Sequence, residues 1–150
     1  MNRLAKIGTL FKKHYRLYSG EIVSVLQQKG FTDLRPSFLE VLITICELEG
    51  QSIKAVGESC GLKKQTMTSH LNELERRNYI LRAINPRDKR QQLVNLTDLG
   101  MKFKISLNEC INDFEKEYVN SIGELELERL EKILENSYEK MVLSRKSSLF

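Results

Sequence analysis

The chain has 150 residues and two prolines; 41% of its residues are hydrophobic, 29% are charged, and the net charge is +4. This length suits one domain, or one small domain with helical extensions, and the composition excludes a disordered chain. Without a run of about 18 apolar residues or a secretory signal, we expect no membrane span and a cytoplasmic protein.

The first two predicted elements are helices. Apolar residues recur at steps of three and four across residues 3–28, which predicts a long amphipathic helix, and Gly30 follows as a C-terminal cap would. Pro36 opens a second helix that Gly50 closes. The first helix is longer than a small domain needs, so we expect it to pack against a partner helix.

A helix-turn-helix is predicted next. Ser52 suits the N-cap of a short third helix that runs through Cys60, and Gly61 then turns the chain into a fourth helix over residues 64–77. Asn78 follows this helix at a position that favours a left-handed backbone, which Asn tolerates better than most residues.

A hairpin and two helices complete the chain. Residues 79–84 and 91–96 favour strands and flank a polar tip at 86–90. Thr97 and Asp98 then cap a long helix. A last helix at about 125–142 is expected to bury its apolar stripe. The order predicts a mainly α (α+β) fold for the single chain 1–150. It contains a winged helix-turn-helix with a two-stranded β-wing at 34–98, and long N- and C-terminal dimerisation helices at 3–28 and 103–142. Their stripes exceed what one small core can cover, so we expect a homodimer.

Charge is segregated along the chain. Residues 63–104 contain ten Lys or Arg and four Asp or Glu, a net charge of +6, whereas residues 105–140 contain ten acids and four bases, a net charge of −6. A basic head attracts a polyanion, and an acidic region repels it from the wrong face. The pattern indicates DNA binding.

The fourth helix has the features of a recognition helix. Met67, Leu71 and Leu74 fall on one side of it, so hydroxyls and amides face the other side, where they suit base edges in the major groove. The alternative is an ordinary solvated face. The candidate DNA-binding residues are Lys64, Gln65, Thr66, Thr68, Ser69, Asn72 and Arg76.

The wing, residues 85–91, supplies cations. Arg87, Lys89 and Arg90 suit phosphates and the narrower minor groove, and Asp88 can hold the tip in shape through a contact with Arg90 or Arg87. The alternative is a flexible, solvated charge run.

Two segments resemble one known family, the multiple antibiotic resistance regulators (MarR family). Residues 85–100, Asn-Pro-Arg-Asp-Lys-Arg-Gln-Gln-Leu-Val-Asn-Leu-Thr-Asp-Leu-Gly, look like the family's wing and the start of the next helix, with its Asp-x-Arg at Asp88 and Arg90. Residues 71–82 resemble the end of its recognition helix and its first wing strand. Two departures are Lys63, where Ser or Thr often caps the helix, and Asn78, which replaces the usual Gly.

The resemblance implies a homodimer on a pseudo-palindromic operator, usually repressing transcription and often released by a small aromatic ligand. It also implies that Arg90 enters the minor groove. Such a ligand would need a pocket, and His14, Tyr15 and Tyr18 on the first helix are candidates for lining it, although a structural role for His14 is the simpler interpretation.

Other functions find little support in the residues. With only two histidines and no nucleophile or phosphate-loop motif, we expect no enzyme, no cofactor and no metal site. Cys46, Cys60 and Cys110 lie among apolar residues and are expected to act as small hydrophobes. The alternative of a different class is a winged-helix adaptor that binds proteins rather than its own operator.

Overall fold

The computed structural model describes residues 2–147. The prediction of a single chain over 1–150 also includes Met1 and residues 148–150, which lie outside the described residues. The elements, in chain order, are α1 (Arg3–Gln28), α2 (Pro36–Glu47), α3 (Ile53–Cys60), α4 (Lys64–Arg76), β1 (Ile80–Asn85), β2 (Asp88–Leu96), α5 (Asp98–Ile122) and α6 (Glu124–Ser147). This order confirms the predicted mainly α fold with a winged helix-turn-helix. None of these helices combines the length and the apolar composition needed to cross a membrane.

The chain divides into two compact units, Met1–Cys110 and Ile111–Phe150. The first unit contains α1 to α4, the antiparallel β1–β2 sheet and the beginning of α5, and the second contains the rest of α5 and all of α6. Within residues 2–147, every buried hydrophobic side chain belongs to the first unit. The hydrophobic core of the described chain is therefore the core of the helix-turn-helix unit.

Three aromatic rings form a cluster within this core. Phe103 of α5 contacts Phe31 and Tyr79 edge-on, with ring centroids 5.4 and 5.6 Å apart, respectively. Phe31 and Tyr79 are themselves 6.3 Å apart. Edge-to-face contacts of this kind add to the free energy gained by burying the rings. The cluster joins the loop after α1, the start of β1 and the first turns of α5.

Helix ends follow the local chemistry of the sequence. Ser52 caps α3 as predicted, because its Oγ accepts a hydrogen bond from Ala55 N at 3.1 Å, and Thr97 caps α5 by accepting from Gly100 N at 3.0 Å. Lys63 occupies the N-cap position of α4 without a side-chain cap. Asn78 adopts the predicted left-handed conformation, with φ of 67°.

The wing differs from the prediction in its extent. The expected tip at 86–90 is wrong: the turn is formed by residues 86 and 87, and β2 already begins at Asp88. Asn85 and Asp88 close the turn locally, because their Oδ1 atoms accept from the backbone N–H groups of Arg87 and Arg90 at 2.9 and 3.1 Å. Because these polar residues have low strand propensity, local sequence did not indicate that β1 extends to Asn85 and that β2 begins at Asp88.

The apolar stripe of α6 is exposed in the single chain. Of the residues that the sequence expects this helix to bury, Leu130, Ile133, Leu134, Tyr138 and Met141 are all exposed, with Ile133 at 64% and Tyr138 at 73%. In α1, six large hydrophobic residues before Tyr18 are exposed as well, namely Leu4, Ile7, Leu10, Phe11, Tyr15 and Leu17, with Leu4 at 78%. This exposure agrees with the expectation that the stripes of the terminal helices exceed what the core of one chain can cover.

Gly100 allows α5 to begin close to β1. A Cβ at this position would lie 2.2 Å from the carbonyl oxygen of Tyr79 and 3.0 Å from a methyl group of Leu96. The first of these atoms belongs to the backbone and cannot rotate away. The contact therefore requires glycine.

We predict that Gly100→Ala lowers the free energy of unfolding by at least about 1–3 kcal/mol, because the added methyl group overpacks this contact. Gly57→Ala is the matched control, since its Cβ would meet Met67 Cγ at an ordinary 3.4 Å. The control should be neutral or slightly stabilising. Urea denaturation measures both, and equal stability of Gly100→Ala and wild type would contradict the packing described here.

Candidate nucleic-acid interface

The orientation of α4 is determined by its buried face. Met67, Leu71 and Leu74 are buried, as the sequence predicted. Gly61, with φ of 67°, forms the left-handed C-cap of α3 and turns the chain toward α4. At the other end of α4, the backbone N–H of Tyr79 bonds to the carbonyl of Leu74 at 3.0 Å. With its apolar side held in this way, the opposite side of α4 must face outward.

The outward side of α4 carries the predicted polar residues. All seven candidate residues on this helix are exposed: Lys64, Gln65, Thr66, Thr68, Ser69, Asn72 and Arg76. Three of them already have partners within the chain. Thr68 Oγ1 donates to the carbonyl of Lys64 at 2.9 Å, Arg76 Nη2 donates to Glu73 at 2.8 Å, and Asn72 accepts from Arg82 at 2.8 Å.

The ion pair beside this helix affects its charge. The hydrogen bond from Arg76 lowers the pKa of the Glu73 carboxyl and raises the pKa of the Arg76 guanidinium. Arg77 Nε also donates to Glu73, at 3.3 Å. Glu73 therefore stays ionised near neutral pH and partly offsets the two arginines, so a ligand phosphate would compete with it for Arg76.

The wing brings its predicted residues together at the start of β2. Asp88 Oδ1 accepts from Arg90 Nε at 3.3 Å, which is one of the two contacts that the sequence suggested. The Arg90 side chain is nevertheless 92% exposed. Arg87 and Lys89 are exposed too. Regular pairing is interrupted here, since Ile84 pairs with Gln92 but Asn85 pairs with Asp88, so Arg90 projects from an irregular ribbon.

Arg77 and Tyr79 anchor the C-terminal end of α4 to Asp33, and the sequence pattern did not predict these contacts. Arg77 Nη1 donates to the carbonyl of Asp33 at 2.8 Å, and its guanidinium lies over the Phe38 ring, 5.2 Å from the centroid. Tyr79 Oη donates to Asp33 Oδ1 at 2.9 Å. Burial, followed by this hydrogen bond, raises the pKa of the Tyr79 hydroxyl. The partners are more than forty positions apart in sequence, so no local pattern revealed them.

Arg82 is the other residue that the sequence analysis did not single out. It lies on β1, yet its guanidinium bonds to Glu75 and Asn72, both on α4. Strand alternation alone places Arg82 on one face of a hairpin, and only the tertiary structure shows that this face meets α4.

Of the three candidate pocket residues, Tyr15 lines a depression on α1. The rings of Tyr15 and Tyr18 lie 6.3 Å apart, and burial raises the pKa of both hydroxyls. His14 is exposed. A depression beside Tyr15 is lined by Phe11, Lys12 and Arg16 of the same helix, and neither His14 nor Tyr18 lines it.

The cysteines occupy apolar surroundings. Cys46 and Cys110 are buried, and Cys60 is half-buried. Burial raises the pKa of the Cys46 thiol to about 11 and also raises that of Cys60. Thiolates are the reactive form, so this environment suppresses reactivity at both positions. Among residues 2–147, no three His, Cys, Asp or Glu side chains are grouped as metal ligands would be.

The short helix, turn, second helix and basic two-stranded ribbon together define the class of winged helix-turn-helix proteins. Residues 34–92 match the model of the MarR family. This match covers 59 of the 150 residues, and it agrees with the resemblance seen in the sequence. Family members and relatives are transcriptional regulators, not enzymes.

Individual proteins are similar to this chain as well. The chain is 30% identical over 96 residues to the HTH-type transcriptional regulator SarZ of Staphylococcus epidermidis, and the match covers 64% of each protein. The match thus spans less than two thirds of the length of this curated relative. Among solved structures, a MarR transcriptional regulator from Methanosarcina mazei Go1 superposes with a TM-score of 0.77 at 17% identity, covering 92% of this chain and 97% of that one. NMB1585, a MarR family regulator from Neisseria meningitidis, has a TM-score of 0.71 at 24% identity and covers 99% of both chains. These structures show the shared fold.

The two faces of α4 should respond differently to truncation. We predict that Met67→Ala lowers the free energy of unfolding by roughly 2–5 kcal/mol, because it removes a buried side chain and leaves a cavity. Gln65→Ala, on the exposed side, should change it by less than about 0.5 kcal/mol. Thermal and urea unfolding measure both variants. The reverse ranking would mean that α4 is rotated relative to the structure described here.

Proposed function

We propose that this protein is a homodimeric, sequence-specific regulator of transcription that represses from a pseudo-palindromic operator. The observation that carries this proposal is the uncovered polar row on α4, lying beside a wing whose Arg90 is 92% exposed. The DNA-binding part would be residues 34–98, and residues 3–28 and 103–142 would form the dimer. Such a regulator works in the cytoplasm.

Two kinds of contact would contribute to DNA binding: those of α4 with base edges, and those of the wing with the minor groove and phosphates. The amides and hydroxyls of Gln65, Ser69 and Asn72 can form hydrogen bonds with base edges in the major groove. Arg90 would enter the minor groove, while Arg87 and Lys89 contact phosphates and contribute affinity without sequence preference. The Asp88–Arg90 contact supports this role, because an arginine that is already ordered loses less conformational entropy on binding.

The exposed apolar faces support the dimer. Ile133, Tyr138 and Met141 of α6, together with Leu4 and Phe11 of α1, expose large hydrophobic side chains. Extensive apolar surface on a protein marks an interaction site, and a second copy of the chain would bury it by two-fold symmetry. A symmetric dimer carries two recognition helices, which suits half-sites about one helical turn apart.

Release by a small aromatic ligand is part of the proposal. One structural neighbour, the PcaV transcriptional regulator from Streptomyces coelicolor, was solved in complex with its natural ligand, and it has a TM-score of 0.70 at 20% identity over 93% of both chains. In this chain, Tyr15 and Tyr18 provide an aromatic surface on α1 that a ligand of this kind could contact, with His14 next to them.

A gel shift with salt titration tests the central claim. Selection from a randomised duplex pool should return a pseudo-palindrome, and the logarithm of the affinity should fall steeply and linearly with the logarithm of salt concentration. A winged-helix adaptor would select no sequence and show no steep salt dependence, and that result would overturn the proposal.

Removing the wing arginine should weaken DNA binding without unfolding the protein. Arg90→Ala is expected to lose on the order of 1–3 kcal/mol of binding free energy, whereas Lys89→Ala should lose less and mainly reduce the salt slope by about 1. Lys116→Ala is the matched control, because this exposed cation belongs to the acidic segment 105–140. Binding is measured on the selected operator, and wild-type affinity of Arg90→Ala would refute the role of the wing.

Dimerisation should depend on the stripe of α6. We expect light scattering at micromolar concentration to give twice the mass of one chain, and Ile133→Glu to shift the protein toward monomer because it places a charge in a buried interface. Leu81→Glu is the control, since Leu81 is 57% exposed but lies on β1. A wild-type monomer, or two variants with equal dimer stability, would contradict the proposed interface.

A further inference from the structure

Arg82 connects strand β1, which leads into the wing, to helix α4 through two hydrogen bonds. Its Nε donates to Glu75 Oε2 at 2.6 Å, and its Nη2 donates to Asn72 Oδ1 at 2.8 Å. The Arg82 side chain is only 22% exposed, whereas Asn72 is exposed on the outward side of α4. One guanidinium therefore bonds an acid and an amide that are three residues apart on the same helix.

The chemistry of arginine determines which end of the amide faces outward. A guanidinium has donors but no acceptor, so Asn72 must direct its oxygen toward Arg82. The Nδ2 group, which carries two N–H donors, is then the end left for another partner. Glu75 holds the guanidinium in place with a charge-assisted hydrogen bond, which is stronger than a neutral one. The amide of Asn72 is in this way oriented before any ligand arrives.

We propose that Arg82 is a specificity-determining positioning residue, which makes Asn72 act as a hydrogen-bond donor toward DNA. The inference rests on the proposed function. Guanine, adenine and thymine each present an acceptor in the major groove, whereas cytosine presents only its N4 amino donor. The position that Asn72 contacts should accordingly disfavour cytosine. Bidentate bonding to adenine would need the Asn72 oxygen turned toward the base as an acceptor, and the hydrogen bond from Arg82 holds that oxygen turned toward β1.

The test is a randomised-operator selection with wild type, Asn72→Ala, Arg82→Ala, Arg82→Lys and the double variant Asn72→Ala/Arg82→Ala, with a melting temperature for each. Asn72→Ala identifies the operator position, and its symmetric mate, at which base preference depends on Asn72. At that position both Arg82 variants should shift the preference toward adenine by about tenfold, because the amide oxygen becomes available for bidentate bonding. The double variant should behave there like Asn72→Ala alone.

Arg82→Lys separates orientation from charge and from stability. Lysine keeps the positive charge but lacks the planar fork that bonds two partners at once, so this variant should retain the salt slope and still lose the wild-type preference. A purely structural arginine would lower the melting temperature and weaken all sequences equally. That result, or an Arg82 shift that persists in the Asn72→Ala background, or an Asn72→Ala variant with unchanged preference, overturns the inference while the proposed function stands. Failure of the wild type to select any operator overturns both.

Discussion

The burial of Met67, Leu71 and Leu74 holds α4 in one rotation, and the candidate interface depends on that rotation. A helix of this length is marginal by itself in water, so its stability comes from packing its apolar face. Turning α4 about its axis would bury the polar row and expose these three residues. The presentation of Gln65, Ser69 and Asn72 is thus a consequence of core packing.

Long-range contacts then hold α4 in place from both sides. Arg77 and Tyr79 attach the C-terminal end of α4 to Asp33, and Arg82 attaches α4 to strand β1. Isolated ion pairs on a surface contribute little to stability. These contacts differ because Arg77 and Arg82 are largely covered and each bonds more than one partner. They define the geometry of the proposed interface, where a small displacement of a side chain would change which base edge it could contact.

The number of cations overstates the charge that a polyanion would meet. Arg76 is paired with Glu73, Arg82 with Glu75 and Arg90 with Asp88. Each acid orders its arginine and also competes with phosphate for it. Such pairing lowers non-specific attraction relative to that of the ten cations in residues 63–104, whose net charge with the four acids is +6, and it would leave specific contacts more dependent on shape.

The sequence by itself determined the element order, the Ser52 and Thr97 caps, the left-handed Asn78 and the two faces of α4, because each depends on periodicity or on neighbours within a few residues. Only the tertiary structure decided where β2 begins, which residues of the α6 stripe stay exposed in one chain, and that Arg82 contacts Asn72. The polar residues of the wing turn mimic a loop in local propensity. The α6 stripe has the same spacing whether it is covered or exposed. Arg82 and Asn72 are ten residues apart, and their contact depends on how the hairpin packs on α4, which no local pattern encodes.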